Sequence, residues 1–379
     1  DAGNYRGTEY IGKLGVEQSY ENQLHGITGV QEMETSAGGR AVRRLNSSQS
    51  VPGNSVVLSI DIKLQKLIED LYGTRRGALV ALDPKTGEVL AFVSKPTFDP
   101  NLFVDGIDSE NWMALNESPD KPLLNRALRG TYPPGSTYKP FMALAALELG
   151  KRSPSQAISD PGHFDFGGRR FRDDKVGGHG MVDMYKSIVV SCDTYYYMLA
   201  RDMGVNMMHD FMKPLGFGQI TGIDLQGEAR GVLPSTDWKK NTFKKPEQQK
   251  WYEGETISLG IGQGYNSFTI LQLAHAMANL ANNGIVMKPH LVKAIEDPFT
   301  RNRVLTTPKE SYRIDLSPEN IEIIKKAMVE VNVSGTSATA FRGAGYVAGG
   351  KTGTAQVFSL NSKDYKHGAT AEFLRDHAL

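Results

Sequence analysis

Apolar and polar positions along the chain mark out helices and strands in one mixed pattern. Val56, Val57, Leu58 and Ile60 form a short apolar run that predicts a strand, and Asp61 follows as an N-cap for a helix carrying Leu64, Leu67, Ile68 and Leu71 on one side. Two more apolar runs, 78–82 and 89–94, are separated by Asp83-Pro84-Lys85-Thr86-Gly87, the residue types of a turn, and predict a hairpin that begins a sheet. Two prolines and a glycine disfavour helix up to Ser136, whereas Met142-Ala143-Leu144-Ala145-Ala146-Leu147 beyond it forms helix strongly and stops at Gly150. Ser136 therefore sits at a helix start. The stretch to Gly180 is dense in Gly, Arg and Asp and reads as loop, after which residues 188–200 form an apolar, helix-like segment. Helices are predicted over 269–282 and 321–331, and a strand opens at Gly349-Gly350-Lys351 and runs to near Phe358.

Residues 1 to about 50 are polar and glycine-rich, with Gly38-Gly39-Arg40 interrupting any regular element and Tyr5, Tyr10 and Tyr20 spaced along them. Pro52-Gly53 marks a boundary, giving an accessory segment over 1–52 and a main domain over 53–379. At 379 residues the chain is long enough for one large core plus such a module. Helices and hairpin strands together make the class α+β.

Bulk charge narrows the function by exclusion. A net charge of +1 gives no reason to invoke nucleic acid, and no 18-residue apolar run is present to cross a bilayer. Cys192 is the only cysteine, so no internal disulfide forms. The basic run Lys239-Lys240 and Lys244-Lys245 reads as solvated surface. Gly260-Ile261-Gly262-Gln263-Gly264 lacks the βαβ setting of a dinucleotide site, which excludes a nucleotide reading.

The chemistry begins at Ser136-Thr137-Tyr138-Lys139. Residues three apart share a helix face, so the Lys139 amine can reach the Ser136 hydroxyl, a nucleophile beside a base. S-x-x-K is short enough to arise by chance, but Ser191-Cys192-Asp193 and Lys351-Thr352-Gly353-Thr354 follow in the order S-x-x-K, S-D-N, K-T-G that marks acylating serine enzymes. Decoys are set aside on context. Ser118-Pro119-Asp120-Lys121 suits a turn, Lys85-Thr86-Gly87 sits in the hairpin turn, and Ser235-Thr236-Asp237 lies in a polar loop, whereas Ser191 adjoins an apolar helix. Asp160, Asp173, His179 and Cys192 form a second constellation, two carboxylates, an imidazole and a thiol, which is a sensible tetrahedral Zn²⁺ set. The same residues also read as turn caps, a surface histidine and a small buried thiol.

With these motifs, residues 10–29 (YIGKLGVEQSYENQLHGITG), 76–106 (RGALVALDPKTGEVLAFVSKPTFDPNLFVDG), 260–265 (GIGQGY) and 351–358 (KTGTAQVF) resemble the class B penicillin-binding proteins of the elongation type. The match spreads over nearly the whole chain. The resemblance implies a penicillin-binding-protein or serine β-lactamase-like transpeptidase fold, with residues 1–52 as part of a dimerisation-type pedestal. It implies peptidoglycan D,D-transpeptidation in cell-wall elongation through a serine ester, with Ser136, Lys139, Ser191, Asp193 and Lys351 catalytic and Thr352, Gly353 and Thr354 binding substrate. Asp193 departs from the commoner asparagine, as in the elongation branch. The resemblance also implies a structural zinc on Asp160, Asp173, His179 and Cys192, with His163 as the substitute ligand. Its expected partners are stem peptides, β-lactams, a membrane glycosyltransferase and elongation-complex proteins. The expected location is the bacterial inner membrane with a periplasmic catalytic domain. The family carries an N-terminal membrane helix and continues with further strands and a closing helix, so this sequence is expected to be part of a longer chain. A serine β-lactamase or β-lactam sensor shares the three motifs, and a non-catalytic wall scaffold is the remaining alternative.

Overall fold

In the computed structural model, which describes residues 4–5, 10–356 and 376–379, the chain forms two compact units, and the ladders of seven of its sheets are antiparallel. The mixed helix and antiparallel-strand content is the α+β class expected.

The first unit holds residues 1–123, 222–228 and 287–309. Its N-terminal segment folds into a hairpin, Val30–Thr35 with Ala41–Ser48, and Gly38-Gly39-Arg40 lie in the turn between the strands. The next strand, Ser55–Leu58, pairs with Val292–Glu296, which also pairs with Arg303–Leu305. Asp61 caps the helix Ile62–Tyr72, accepting hydrogen bonds from the backbone N–H groups of Lys63 and Leu64. Only part of the predicted apolar stripe is covered here: Ile68 is buried and Leu64 packs beside it, but Leu67 and Leu71 are exposed. The hairpin Gly77–Leu82 with Val89–Lys95 forms as predicted. Lys85-Thr86-Gly87 is its turn, closed by Gly87 N–H donating to Asp83 O, and this settles the K-T-G decoy.

The second unit holds residues 124–221, 229–286 and 310–379, and contains the main core. A single 3₁₀ turn, Gly135–Tyr138, leads into the helix Lys139–Glu148, buried from Lys139 to Ala146, which ends before Gly150 at φ +62°. Tyr138 and Phe141 both meet Phe217 edge-on, at 5.2 and 5.0 Å between ring centres, so an aromatic cluster underpins the Ser136 turn.

The stretch read as loop contains four short strands. Ile158–Asp160 pairs with Gly180–Val182, and His163–Phe166 pairs with Arg169–Arg172 across Gly167-Gly168. High Gly, Arg and Asp content hid a real alternation, in which Phe164 and Phe171 face each other across the hairpin. Residues 188–200 are likewise not one helix. Met184–Val189 and Asp193–Met203 are separate, because Ser191 adopts φ +60°, a left-handed conformation that reverses the chain. Helices Ile270–Ala281 and Pro318–Val333 match expectation, the second starting earlier because Ser317 caps it and Pro318 fits its first position.

The remaining decoys resolve structurally. Ser118 opens a turn closed by Lys121 N–H, and Ser235, predicted in a loop, caps the Thr236–Thr242 helix through Trp238 N–H. Lys239 of the basic run is buried rather than solvated, donating to Glu255 and ringed by Trp251, Tyr252 and Tyr265. Among the described residues, no helix is long and apolar enough to cross a membrane.

Candidate active site

The three motifs converge in the second unit. Lys139 is completely buried, and its ammonium donates to Ser191 O at 2.6 Å, Ser191 Oγ at 3.2 Å and Asp193 Oδ1 at 2.6 Å. Lys351 Nζ donates to the same Ser191 Oγ at 2.8 Å and to Thr352 O at 2.9 Å. Ser191 therefore joins the amines of the first and third motifs through one hydroxyl.

One expected contact is not made. Among the described residues the Ser136 hydroxyl has no hydrogen bond, and Lys139 does not reach it. The reason is competition. An ammonium has three donors and no acceptor site, and all three are taken by Ser191 and the Asp193 carboxylate.

Backbone geometry brings the third motif against the nucleophile. Gly135 has φ +53°, and a Cβ there would lie 2.3 Å from the Thr354 carbonyl oxygen, so only glycine permits the approach. Thr354–Ala355 pairs with His377–Ala378, and Gly353 and Leu379 exchange both their hydrogen bonds at 2.9 Å. In an antiparallel ladder the neighbouring residue, Thr354, then turns its N–H and C=O the other way. Its C=O accepts from Gln263 Nε2 at 2.8 Å, and Gly135 N–H donates to Gly262 O at 3.1 Å. The glycine-rich GIGQG stretch thus buttresses the site, a role that its composition alone did not disclose. The strand predicted from Gly349-Gly350-Lys351 starts only at Thr354 and is observed over Thr354–Ala355, because Gly350 N–H is drawn to Met328 O and residues 349–353 form no strand; its expected end near Phe358 lies outside the described residues.

The second constellation also assembles. One ligand atom from each of Asp160, Asp173, His179 and Cys192 lies within 4.8 Å of the others. His179 Nδ1 is 2.8 Å from Asp160 and 3.3 Å from Asp173, and Cys192 Sγ is 3.4 and 3.5 Å from the same carboxylates. A tetrahedral Zn²⁺ with bonds of about 2.0–2.3 Å sets ligand atoms about 3.3–3.8 Å apart; the His179–Asp173 and both Cys192–carboxylate distances lie in that range, whereas the 2.8 Å between His179 and Asp160 is a hydrogen bond that a bound ion would widen, so the donor types suit the ion and three of these four distances match it. Asp173 also accepts from Thr194 N–H at 2.7 Å, capping the helix that begins at Asp193. His163, the substitute ligand, lies instead 3.5 Å from Asp165 and outside the cluster.

Electrostatics in this region are strongly perturbed. Burial pushes the Asp160 carboxyl up, yet hydrogen bonds from the Gly162 and His179 N–H groups outweigh it and hold the group at about 2. Burial, then the nearby Asp173 carboxylate, pushes the Cys192 thiol well above its ordinary value. Asp174, which no motif flagged, is pushed up to about 7 by desolvation and by its hydrogen bond with Asp173. Burial raises the Asp193 carboxyl despite its lysine partner, and burial followed by the Lys139 charge lowers Lys351 to about 7.

Comparison with known proteins bears on the family of the chain. Residues 77–374 match the penicillin binding protein transpeptidase domain, and residues 1–58 match the penicillin-binding protein dimerisation domain. Peptidoglycan D,D-transpeptidase MrdA of Acinetobacter baumannii is 45% identical over 99% of this chain and 55% of its own length. MrdA of Escherichia coli K12 is 42% identical over 99% of this chain and 59% of its own. The chain thus spans little more than half the length of these curated relatives. Pseudomonas aeruginosa penicillin-binding protein 2 in complex with WCK 5153 superposes with a TM-score of 0.82 at 41% identity, covering 94% of this chain and 76% of that one. Penicillin-binding protein 2 of Helicobacter pylori, solved with MreC, gives 0.81 at 31% identity, covering 97% and 64%. With a transpeptidase match across most of its length and a dimerisation match before it, the chain belongs to the penicillin-binding protein transpeptidase family.

Proposed function

We propose that this chain is the catalytic part of a serine D,D-transpeptidase that crosslinks peptidoglycan stem peptides during cell-wall elongation, and that β-lactams acylate the same serine. The observation that carries this reading is the Ser191 hydroxyl shared by Lys139 and Lys351 beside the Ser136 turn. Residues 53–379 make the catalytic domain and residues 1–52 part of its pedestal.

Acylation requires Ser136 to lose its proton as its oxygen attacks the carbonyl between the two terminal D-alanines. Lys139 takes that proton once it has passed one of its own to Asp193, whose buried carboxyl is the readier to accept it, and has turned from Ser191 to the Ser136 hydroxyl as substrate binds. The backbone N–H groups of Ser136 and Thr354 hold the oxyanion, each worth roughly 3 kcal/mol in such sites. Collapse of the adduct breaks the C–N bond, and Ser191 relays a proton to the departing D-alanine amine. Lys351 supplies positive potential, while Thr352 and Thr354 receive the terminal carboxylate, with Gly353 allowing close approach. The amine of a second stem then resolves the ester.

Asp160, Asp173, His179 and Cys192 would hold a Zn²⁺ that ties the preceding loop to the start of the Asp193–Met203 helix. Four protein ligands leave no open position, so the metal's part is structural. The H. pylori complex with MreC supports elongation-complex proteins as partners, with a membrane glycosyltransferase making the glycan. The domain works in the periplasm, anchored to the inner membrane by a helix outside this sequence.

Intact-mass analysis after benzylpenicillin treatment, with peptide mapping, tests the reading. One adduct on Ser136 that persists for many minutes is expected. Rapid loss of the adduct would indicate a β-lactamase, and no labelling would indicate a scaffold.

A further inference from the structure

The Lys351–Thr354 segment is held from a second side by residues that no sequence motif singled out. Asn332, 6% exposed in the last turn of the Pro318–Val333 helix, donates from Nδ2 to Ala348 O at 2.8 Å and accepts at Oδ1 from the Ser337 hydroxyl. Its amide abuts Gly350, where a Cβ would lie 2.9 Å from Oδ1, and Gly350 N–H donates to Met328 O at 3.0 Å. Gly335 is pressed equally tightly, since a Cβ there would lie 2.5 Å from Val189 O and 2.7 Å from Val331 Cα. The end of one helix thus clamps both the 334–337 turn and the approach to Lys351.

Across this clamp the Thr336 hydroxyl lies 2.6 Å from the Thr352 hydroxyl. Each hydroxyl has one proton and two acceptor sites. A carboxylate only accepts, so Thr352 can hold one only through its own proton, and that proton is lost to the substrate if it points at Thr336. Either hydroxyl can donate in this pair, and among the described residues Thr336 has no other hydrogen-bond partner. The Thr336 proton can therefore go to Thr352.

We infer that Thr336 is a positioning residue for substrate carboxylate binding: it donates to Thr352 Oγ1 and so keeps the Thr352 proton directed at the terminal D-amino acid carboxylate. The inference rests on the transpeptidase reading above and extends it to a residue outside the three motifs. The ligand class is a peptide ending in a free carboxylate, or a β-lactam bearing one in the same place. Thr336→Val keeps the shape and removes the donor, whereas Thr336→Ser keeps the donor.

The test is acylation kinetics with benzylpenicillin and with its methyl ester, which lacks the carboxylate. Thr336→Val should raise the half-saturation concentration for benzylpenicillin about tenfold, the loss of one hydrogen bond to a charged ligand, with the limiting acylation rate within about twofold. Acylation by the methyl ester should be unchanged, Thr336→Ser should restore benzylpenicillin to within about threefold, and Thr336→Val should add nothing in a Thr352→Val background. Unchanged benzylpenicillin kinetics, equal losses on both ligands, or additive losses in the double variant would overturn the role; Thr336→Ala gives the same comparison if the valine variant folds poorly. Absence of Ser136 acylation in the wild type would overturn the transpeptidase reading and this inference together, whereas normal wild-type acylation with an unaltered Thr336→Val overturns the inference alone.

Discussion

Lys139 and Lys351 meet the same hydroxyl, but Lys139 is also paired with the Asp193 carboxylate at 2.6 Å, whereas Lys351 donates to the Thr352 carbonyl. Asp193→Asn keeps a hydrogen-bond acceptor but cannot take the proton that Lys139 passes on, so acylation should fall by roughly a hundredfold or more. Benzylpenicillin acylation kinetics measure it, and an unchanged rate means that Asp193 does not serve the base. Lys351 is set by its surroundings. Burial, followed by the Lys139 charge, lowers it to about 7, so its charge is present below that pH and fades as pH rises through it. The half-saturation concentration for carboxylate-bearing β-lactams should therefore climb between pH 6 and 8, while Lys351→Arg stays flat across that range. Stability follows with the opposite sign: below about 7 both folded and unfolded chains carry the Lys351 proton, and from there towards the ordinary lysine range the unfolded chain binds more, so this group favours folding increasingly as pH rises. Such coupling was only partly legible in the sequence. The motifs named Ser136, Lys139, Ser191 and Lys351 because each spacing carries chemistry, but spacing does not reveal that Asp193 takes Lys139 away from Ser136. Gln263 and Thr336 make their contacts with a distant segment, and no local pattern encodes those.

Secondary elements supply the strain and the close approaches that these side chains need. Ser191 is one of few non-glycine residues at positive φ, and it sits at the break between the Met184–Val189 and Asp193–Met203 helices. A left-handed serine costs roughly 1–2 kcal/mol that glycine does not. Ser191→Gly and Ser191→Ala both remove the shared hydroxyl and should lose most acylation, but the glycine variant should unfold a few degrees higher than the alanine variant in a thermal melt. Equal melting temperatures would mean that the break is unstrained. Gly135 makes the converse case: a methyl group there meets the Thr354 carbonyl, so Gly135→Ala should abolish detectable acylation by moving the strand away from Ser136. Long elements with strong periodicity, such as the hairpin after Gly77 and the helix after Lys139, were readable from their residues alone. The break at Ser191 was not, because apolar residues continue through it and only backbone dihedrals report the turn. The strands at 163–172 were masked by glycine and charge, which read as loop until their phenylalanines are seen facing each other.

At the scale of the whole catalytic unit, the cluster at Asp160, Asp173, His179 and Cys192 ties the 158–182 strands to the start of the Asp193–Met203 helix, beside the core that both share. Two carboxylates and a thiol face one another there, with the neighbouring helix N-terminus at Thr194 and one imidazole as the polar groups that offset them. Without a cation, Cys192 stays a neutral thiol, because burial and the two carboxylates disfavour its anion. A Zn²⁺ held there would reverse this by taking the thiolate as ligand, and would stabilise the folded chain because the unfolded chain offers no assembled site. The protein purified without chelator should therefore contain close to one zinc per chain by elemental analysis, and Cys192→Ser should contain little. Prolonged chelation should lower the melting temperature of the wild type by roughly 5–10 °C, with recovery on adding zinc, and should leave Cys192→Ser unmoved. Because the cluster fixes the residues on either side of Cys192, penicillin acylation should fall along with the metal content and return with it. Zinc removal that leaves both melting and acylation unchanged would mean that hydrogen bonds alone hold this loop beside Ser191 and Asp193.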